Sequence, residues 1–328
     1  MSENPPPTPD DDPFTPPSYG SPMPPPSPFG PSEPLPPAYG PPAYGPPAYG
    51  PPAYGPPVYG PPPGFALPPQ YYASPDDPLV SNDLGGWWNR SFRLLRKAWL
   101  PLLLVNLISV PPLEILTAWA QSTVKTETDE VTTSEVRTLL VRLGLAIIVG
   151  ATLSVVVSLT AQRILVQAAT GRPISVGAAL LDGLGRTPAL IGWGFLVALM
   201  VIVGILCCIV PGLYFGAVFT VLPAVVLLER GNAISRSFQL LHADIGSALG
   251  RIVIYYAVSL LFVVVEGLIT SGISAIGTSI GVTVVSTGVA IVFTLASAVV
   301  LAPMILTAYA DMRARREPFS TAYLAPAE

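Results

Sequence analysis

The sequence predicts an all-α integral membrane protein: six transmembrane helices, grouped as three amphipathic-helix-plus-hairpin units, preceded by a disordered Pro-rich tail. Three observations predict it. From about residue 98 the apolar runs are long enough to cross a bilayer, which takes about 20 residues per helix. Basic residues gather at alternate gaps between those runs. An amphipathic spacing recurs ahead of each pair of runs.

The tail, residues 1–80, holds 31 of the 41 prolines, no Lys or Arg, and seven acids (Glu3, Asp10, Asp11, Asp12, Glu33, Asp76, Asp77). It carries −7, whereas the remainder, with 16 basic and 13 acidic residues, carries +3. Pro, Gly, Ser and Asp dominate it, so it cannot bury enough apolar surface to offset the entropy of folding. Its centre is five copies of a five-residue unit, "PPAYGPPAYGPPAYGPPAYGPPVYG", from Pro36 to Gly60. Paired prolines bias such a chain toward polyproline II and the glycines loosen it, which makes a semi-stiff spacer. The spacer carries an aromatic ring at Tyr39, Tyr44, Tyr49, Tyr54 and Tyr59. Each copy also reads Pro-Pro-x-Tyr, a shape that aromatic-lined grooves accept. Two readings follow: a plain spacer, or a row of weak stickers for a cytosolic protein partner. The opening residues are polar and Pro-rich and do not read as a cleavable signal peptide.

The membrane domain is expected over residues 85–318, with 319–328 as a short C-terminal tail. The first span is read at about Ala98 to Ala120 and the second at Leu143 to Ala161. Residues 188–228 contain no charged side chain and are broken by Pro211-Gly212, which fits two passes joined by a tight turn. Between Arg251 and Asp311 only Glu266 is charged, and the small-residue stretch from Ser271 to Gly281 divides this run into the last two passes. Arg90, Arg93, Arg96, Lys97, Arg163, Arg172, Arg186, Arg230, Arg236, Arg251, Arg313, Arg315 and Arg316 then share one face of the membrane. Lys125, Arg137 and Arg142 flank or lie in an acidic loop on the other face. Basic residues stay cytoplasmic, so both termini are expected in the cytosol and the protein in the plasma membrane.

Ahead of the first span, Trp88, Phe92, Leu95 and Trp99 form one stripe of a helix, and Ile234, Phe238, Leu241 and Ile245 repeat it, down to "RSFRLL" against "RSFQLL". A third copy, "ISVGAALL" from Ile174, answers "ISRSFQLL" from Ile234. Trp88, Phe92, Leu95, Ile234, Phe238 and Leu241 are thus the expected anchors of helices lying along the bilayer surface.

"GRPISVGAALLDGLGRTPALIGW", "CIVPGLYFGAVFTVLPAVVLLERGNAISRSFQLL" and "TAYADMRARREPF" resemble the membrane domain named for glycerophosphoryl diester phosphodiesterases, found as a stand-alone, Pro-rich-tailed protein in actinobacteria. The resemblance covers roughly residues 85–318 and implies a six-helix membrane protein of unknown activity, sometimes fused to the phosphodiesterase. No stretch outside the spans is long enough to hold that enzyme.

The chain holds a single histidine, His242, and two adjacent cysteines, Cys207 and Cys208, read as small packing residues; neither pattern suits metal binding or metal-assisted hydrolysis. No catalytic, cofactor or metal residue is expected, no nucleic-acid footprint is present, and the expected partners are the lipid bilayer and whatever the tail captures. Ionisable residues within spans are the remaining candidates. Glu114 and Glu266 fall in the outer leaflet and Arg142 opens the second span from that side, so the three are a candidate polar cluster in which Arg142 pairs with one or both carboxylates. The functional version is an outward polar cavity near Glu266 that passes a small solute or a lipid. The alternative places Glu114 among outer headgroups.

Overall fold

The computed structural model describes residues 73–121, 133–277 and 279–324, and these are helical with no strand. The tail tyrosines Tyr39, Tyr44, Tyr49, Tyr54 and Tyr59 and most of the acidic loop lie outside the described residues.

Helix α1 (Leu84–Asn106) starts where the Asp83 carboxylate accepts the Gly86 amide, and it continues to α2 (Val110–Gln121) through a 42° bend. The bend has a covalent cause. Pro111 and Pro112 have no N–H to give the carbonyls one turn back, so the ladder stops at Leu107. Short bonds from the Ile108 and Ser109 amides to Val105 and Asn106 close the gap. Helix α3 (Thr133–Ala169) returns without a break.

Helix α4 (Val176–Cys207), capped by Ser175, turns into α5 (Ile209–Phe219) at Cys208, whose backbone is extended. The turn therefore comes before the Pro211-Gly212 pair. Pro211 sits in the first turn of α5, where a missing N–H costs little. Gly212 has another role: a Cβ there would lie 2.8 Å from the Ile205 nitrogen, and one on Gly204 would lie 2.9 Å from the Gly212 nitrogen. The two backbones touch, as small residues permit between membrane helices. Cys207 and Cys208 are exposed at this turn instead of packing into the protein.

Helix α6 (Leu222–Leu228) completes the pass begun by α5. After it come α7 (Ala233–Leu241), α8 (Ile245–Ser274) and α9 (Ile280–Ala314), capped by Asn232, Asp244 and Ser279. The turn between α8 and α9 holds Gly277 at φ 149°, a backbone conformation that suits only glycine. Counting the bent pair as one span, six helical passes are long and apolar enough to cross a membrane, and the chain is a multi-pass membrane protein.

The three amphipathic stretches join their hairpins in two ways. The one around Ile234 is a separate helix, α7, whereas those around Trp88 and Ala178 are the opening turns of α1 and α4. Only α7 is followed by a stop, the His242 to Asp244 turn with its new cap at Asp244.

Burial is concentrated at the end of the bundle that carries the basic residues, here the basic end. Met304, Leu306 to Met312 and Ala314 of α9 are all buried, surrounded by α1, α3, α6 and α7. Helix α8 buries only Ala248, Arg251 and Ile252, all in its first two turns. Toward the far end the helix faces are apolar and exposed, as at Ile147, Leu206, Leu268 and Ile280.

Two boundaries move relative to expectation. Residues 73–80, assigned by composition to the tail, are packed: Leu79 and Val80 are buried with Ala73 and Asp77. Phe319, Thr321 and Leu324, assigned to the short C-terminal tail, are buried as well. In both places a few apolar side chains seat a short segment outside the α-helices, the second ending in a 3-10 turn at Thr321–Leu324, that composition averaged over a longer window conceals.

Replacing Gly212 with Ala is expected to lower unfolding stability in detergent by about 1–3 kcal/mol, because the helices must separate. Gly194, on the open side of α4 with nothing near its Cβ position, is the control. Gly194→Ala is expected to leave stability unchanged or raise it.

Candidate functional site

Polar chemistry in the described residues collects at two places, the basic end and the bend between α1 and α2.

At the basic end, Arg251 of α8 and Asp311 of α9 are 1% and 0% exposed and pair at 3.1 Å. Arg251 also donates to the Ser247 carbonyl at 2.9 Å, to the Ser247 hydroxyl at 2.6 Å and to the Ser81 carbonyl at 2.9 Å. The other oxygen of Asp311 accepts from Arg315 at 3.0 Å, and Arg315 reaches on to Asp244, the cap of α8. Two cations and two anions alternate, so the buried charges cancel. Ser81 brings the segment before α1 into this chain.

A second network fastens α7. Arg236 donates to Glu229 at 2.5 Å and to Glu317 at 2.6 Å, while Arg313 donates to Glu317 at 2.5 Å. The Tyr309 hydroxyl donates to Glu229 at 2.7 Å. Burial alone would push the Glu317 carboxyl up, but the hydrogen bonds and charges of Arg313 and Arg236 outweigh it and hold that group below the usual carboxylate range.

A third contact set holds the root of the N-terminal tail. The buried Asp77 carboxylate accepts from the Leu79 and Val80 amides at 2.9 and 3.3 Å, which folds its own segment into a turn. It also accepts from the Thr321 amide at 2.8 Å and the Thr321 hydroxyl at 2.6 Å. Arg90 of α1 donates to the Pro75 carbonyl at 2.9 Å. The chain entering the bundle and the chain leaving it are thus joined at one end, as an even number of passes requires.

The second place is a cavity of about 270 Å3 at the bend between α1 and α2. Its polar lining includes Asn106, Ser109, Ser158, Gln162, Tyr255 and Thr294. Gln162 is 1% exposed; its amide nitrogen donates to the Ala302 carbonyl at 3.3 Å, and its Oε1 has no hydrogen-bond partner.

The expected intramembrane cluster is distributed differently. Glu114 accepts from Thr294 at 3.1 Å, which ties it to the edge of the cavity, and it lies within electrostatic range of Glu266. The Arg142 guanidinium lies over the Trp119 ring, 4.5 Å from its centre. The described contacts thus join Glu114 to α9 and Arg142 to α2. Glu266 is not among the residues lining the cavity.

The expected surface anchors also divide. Trp88 is exposed and Phe92 and Leu95 are half-buried, while the neighbouring face of Trp87, Ser91, Leu94 and Ala98 carries the packing of α1. On α7 the stripe turns toward protein. Leu241 is buried, Ile234 and Phe238 are half-buried against the core, and Phe238 meets Phe219 and Phe215 edge-on at 5.5 and 6.3 Å. His242 is exposed and has partners, with Nδ1 donating to the Phe238 carbonyl at 2.7 Å and Nε2 3.2 Å from the Tyr214 hydroxyl.

Sequence reasoning missed the Arg251–Asp311 pair and the Asp77 clamp. The pair had a signal: Arg251 and Asp311 bound one uncharged double run, and a hairpin folded at its middle brings its two limits together.

No protein-family model, curated protein or solved structure matches this chain.

Asp311→Asn is expected to cost about 3–5 kcal/mol in unfolding experiments, since Arg251 stays buried without its counter-charge. The double variant Arg251→Met, Asp311→Leu is expected to recover most of that loss, because removing both charges removes both desolvation costs.

The Glu317 pairing gives a pH dependence. A carboxyl held low in the folded state stabilises above the unfolded value, about 4.3, and that contribution disappears as pH falls through the lower folded value. Hydrogen exchange of residues 233–241 is expected to be steady from pH 7 to 5 after correction for intrinsic rates, and faster below about pH 4. Glu317→Gln is expected to abolish that acid step.

Proposed function

We propose that this chain is a non-enzymatic protein of the plasma membrane that holds its Pro/Tyr-rich tail in the cytosol on a fixed root, for weak multivalent capture of a protein partner. The observation that carries the reading is the clamp at that root. Asp77, at the C-terminal limit of the Pro-rich composition, is bound by its own turn and by Thr321, and Arg90 holds Pro75. A tail that needed only to float would gain nothing from this attachment. The clamp also lies at the basic end, which supports a cytosolic position for tail and termini. The tail's acidic charge keeps it off an anionic leaflet and available to partners. Membership of the family whose membrane domain is named for glycerophosphoryl diester phosphodiesterases is part of this proposal, supported by the quoted sequence resemblance alone.

A second reading, a small-solute or lipid transporter, is favoured by one observation. The cavity at the α1–α2 bend places a buried acceptor without a partner, Gln162, at a break in a membrane helix, where transporters of other folds bind their substrates.

Crosslinking pull-downs from intact cells separate the readings. Changing Tyr39, Tyr44, Tyr49, Tyr54 and Tyr59 to Ser is expected to abolish partner capture while leaving membrane insertion intact, with partial sets giving graded loss. Normal capture by the Ser variant would show the rings to be dispensable and leave a spacer. A phenotype insensitive to deletion of residues 1–72 but lost in Gln162→Leu would favour transport.

A further inference from the structure

A cleft of about 690 Å3 opens at the basic end between α4, the end of α6 and the start of α7. That volume lies in the range of small-molecule sites, about 300–1,000 Å3. Its charged lining is Arg186, Glu229, Arg230 and Arg236, and its apolar lining includes Trp193 and Val226.

The cleft's charge is not balanced. Arg236 is already met by Glu229 and Glu317, and Glu229 by Arg236 and Tyr309. The acid one helical turn before Arg186 is Asp182, and it is taken by Arg163 at 2.7 Å. Arg186, half-buried, and Arg230, exposed, therefore face the cleft with no ion-pair partner among the described residues. Two guanidiniums turned to one concave surface make a site for an anion that can accept several hydrogen bonds, and phosphate is the oxyanion whose geometry a guanidinium fork matches.

The walls say what the anion is attached to. Ala189, Trp193, Val225 and Val226 belong to the stretch 188–228 that holds no charged side chain and forms two membrane passes. The cleft thus joins a cationic mouth to an apolar wall contributed by two membrane passes. Free phosphate would use only the mouth. A ligand with a phosphate head and an apolar tail uses both parts, and Trp193 lies about two turns along α4 from Arg186. We infer that the cleft between α4 and α7 is a binding site for an anionic phospholipid, with its phosphate held by Arg186 and Arg230 and its acyl chains running along Trp193. The cleft shares no residue with the cavity at the α1–α2 bend.

The test uses the full chain, purified in mild detergent and exposed to mixed micelles of phosphatidylcholine and phosphatidylglycerol, with retained lipid counted by native mass spectrometry. Wild type is expected to retain phosphatidylglycerol selectively. In Arg186→Gln, Arg230→Gln that retention is expected to fall about 30-fold, the result of removing two basic contacts worth about 1 kcal/mol each. The Lys pair at the same positions keeps the charge and is expected to restore most of it. Arg93→Gln, Arg96→Gln removes the same charge from an exposed face of α1 and is expected to change little. Equal losses from the two Gln pairs would mean diffuse attraction and would overturn the site. Displacement of phosphatidylglycerol by millimolar inorganic phosphate or glycerol 3-phosphate would assign the cleft to a soluble ligand and overturn the lipid assignment. None of these readouts involves the tail, so the root reading can fail or survive independently.

Discussion

The buried ion pair of Arg251 and Asp311 is the constraint on which the rest of the arrangement depends. Neither charge can face lipid or an apolar core unpaired, so α8 and α9 must keep one register and the groups around them must supply the remaining hydrogen bonds. Ser247 meets Arg251 from within α8, Ser81 meets it from the segment before α1, and Arg315 extends the chain to the cap of α8. A single charge-balanced string thereby fixes one hairpin and the entry of the chain into the bundle. The second network, around Glu317 and Arg236, places α7 against the exit of α9.

Lateral packing follows from where these strings lie. Because the ion pairs sit at the basic end, the last turns of α9 are enclosed on every side there, and Ser91 of α1 and Gln162 of α3 complete the enclosure through bonds to Thr307 and the Ala302 carbonyl. The hairpin of α4 and α5 is held differently, by direct backbone approach at Gly204 and Gly212. Charge fixes the basic end and small residues fix the distant turn, which matches what each solvent permits: ions need partners everywhere, while apolar helices in lipid need only close contact.

Much of the fold was legible because membrane spans announce themselves by length. The uncharged runs, a break between Ser271 and Gly281 and the six passes followed from the bilayer's thickness. The less legible parts are those decided by which side of a helix meets protein. The stripe of Trp88, Phe92 and Leu95 is apolar, yet the packed face of α1 is the neighbouring one of Trp87, Ser91, Leu94 and Ala98, rich in small residues. In lipid, an apolar stripe does not distinguish a lipid-facing surface from a protein-facing one. The same ambiguity hid the seating of α7 on Phe219 and Phe215. The Asp77 clamp was hidden because eight ordered residues were averaged into a Pro-rich window, and the orphan acceptor of Gln162 because nothing local marks a cavity made by the bend of another helix.

The uneven burial of the bundle divides it mechanically. Its basic end is a solid in which side chains interlock and charges set distances. Beyond Ile252, α8 has no fully buried residue, and side chains such as Leu260, Val263 and Leu268 form an exposed apolar face open to acyl chains. Separation between helices in the far half is therefore a property of the surrounding hydrocarbon as much as of the polypeptide, and it changes with lipid length and order while the base stays as it is. Exchanging the bilayer for detergent replaces one half of this protein's solvent and leaves the other half untouched.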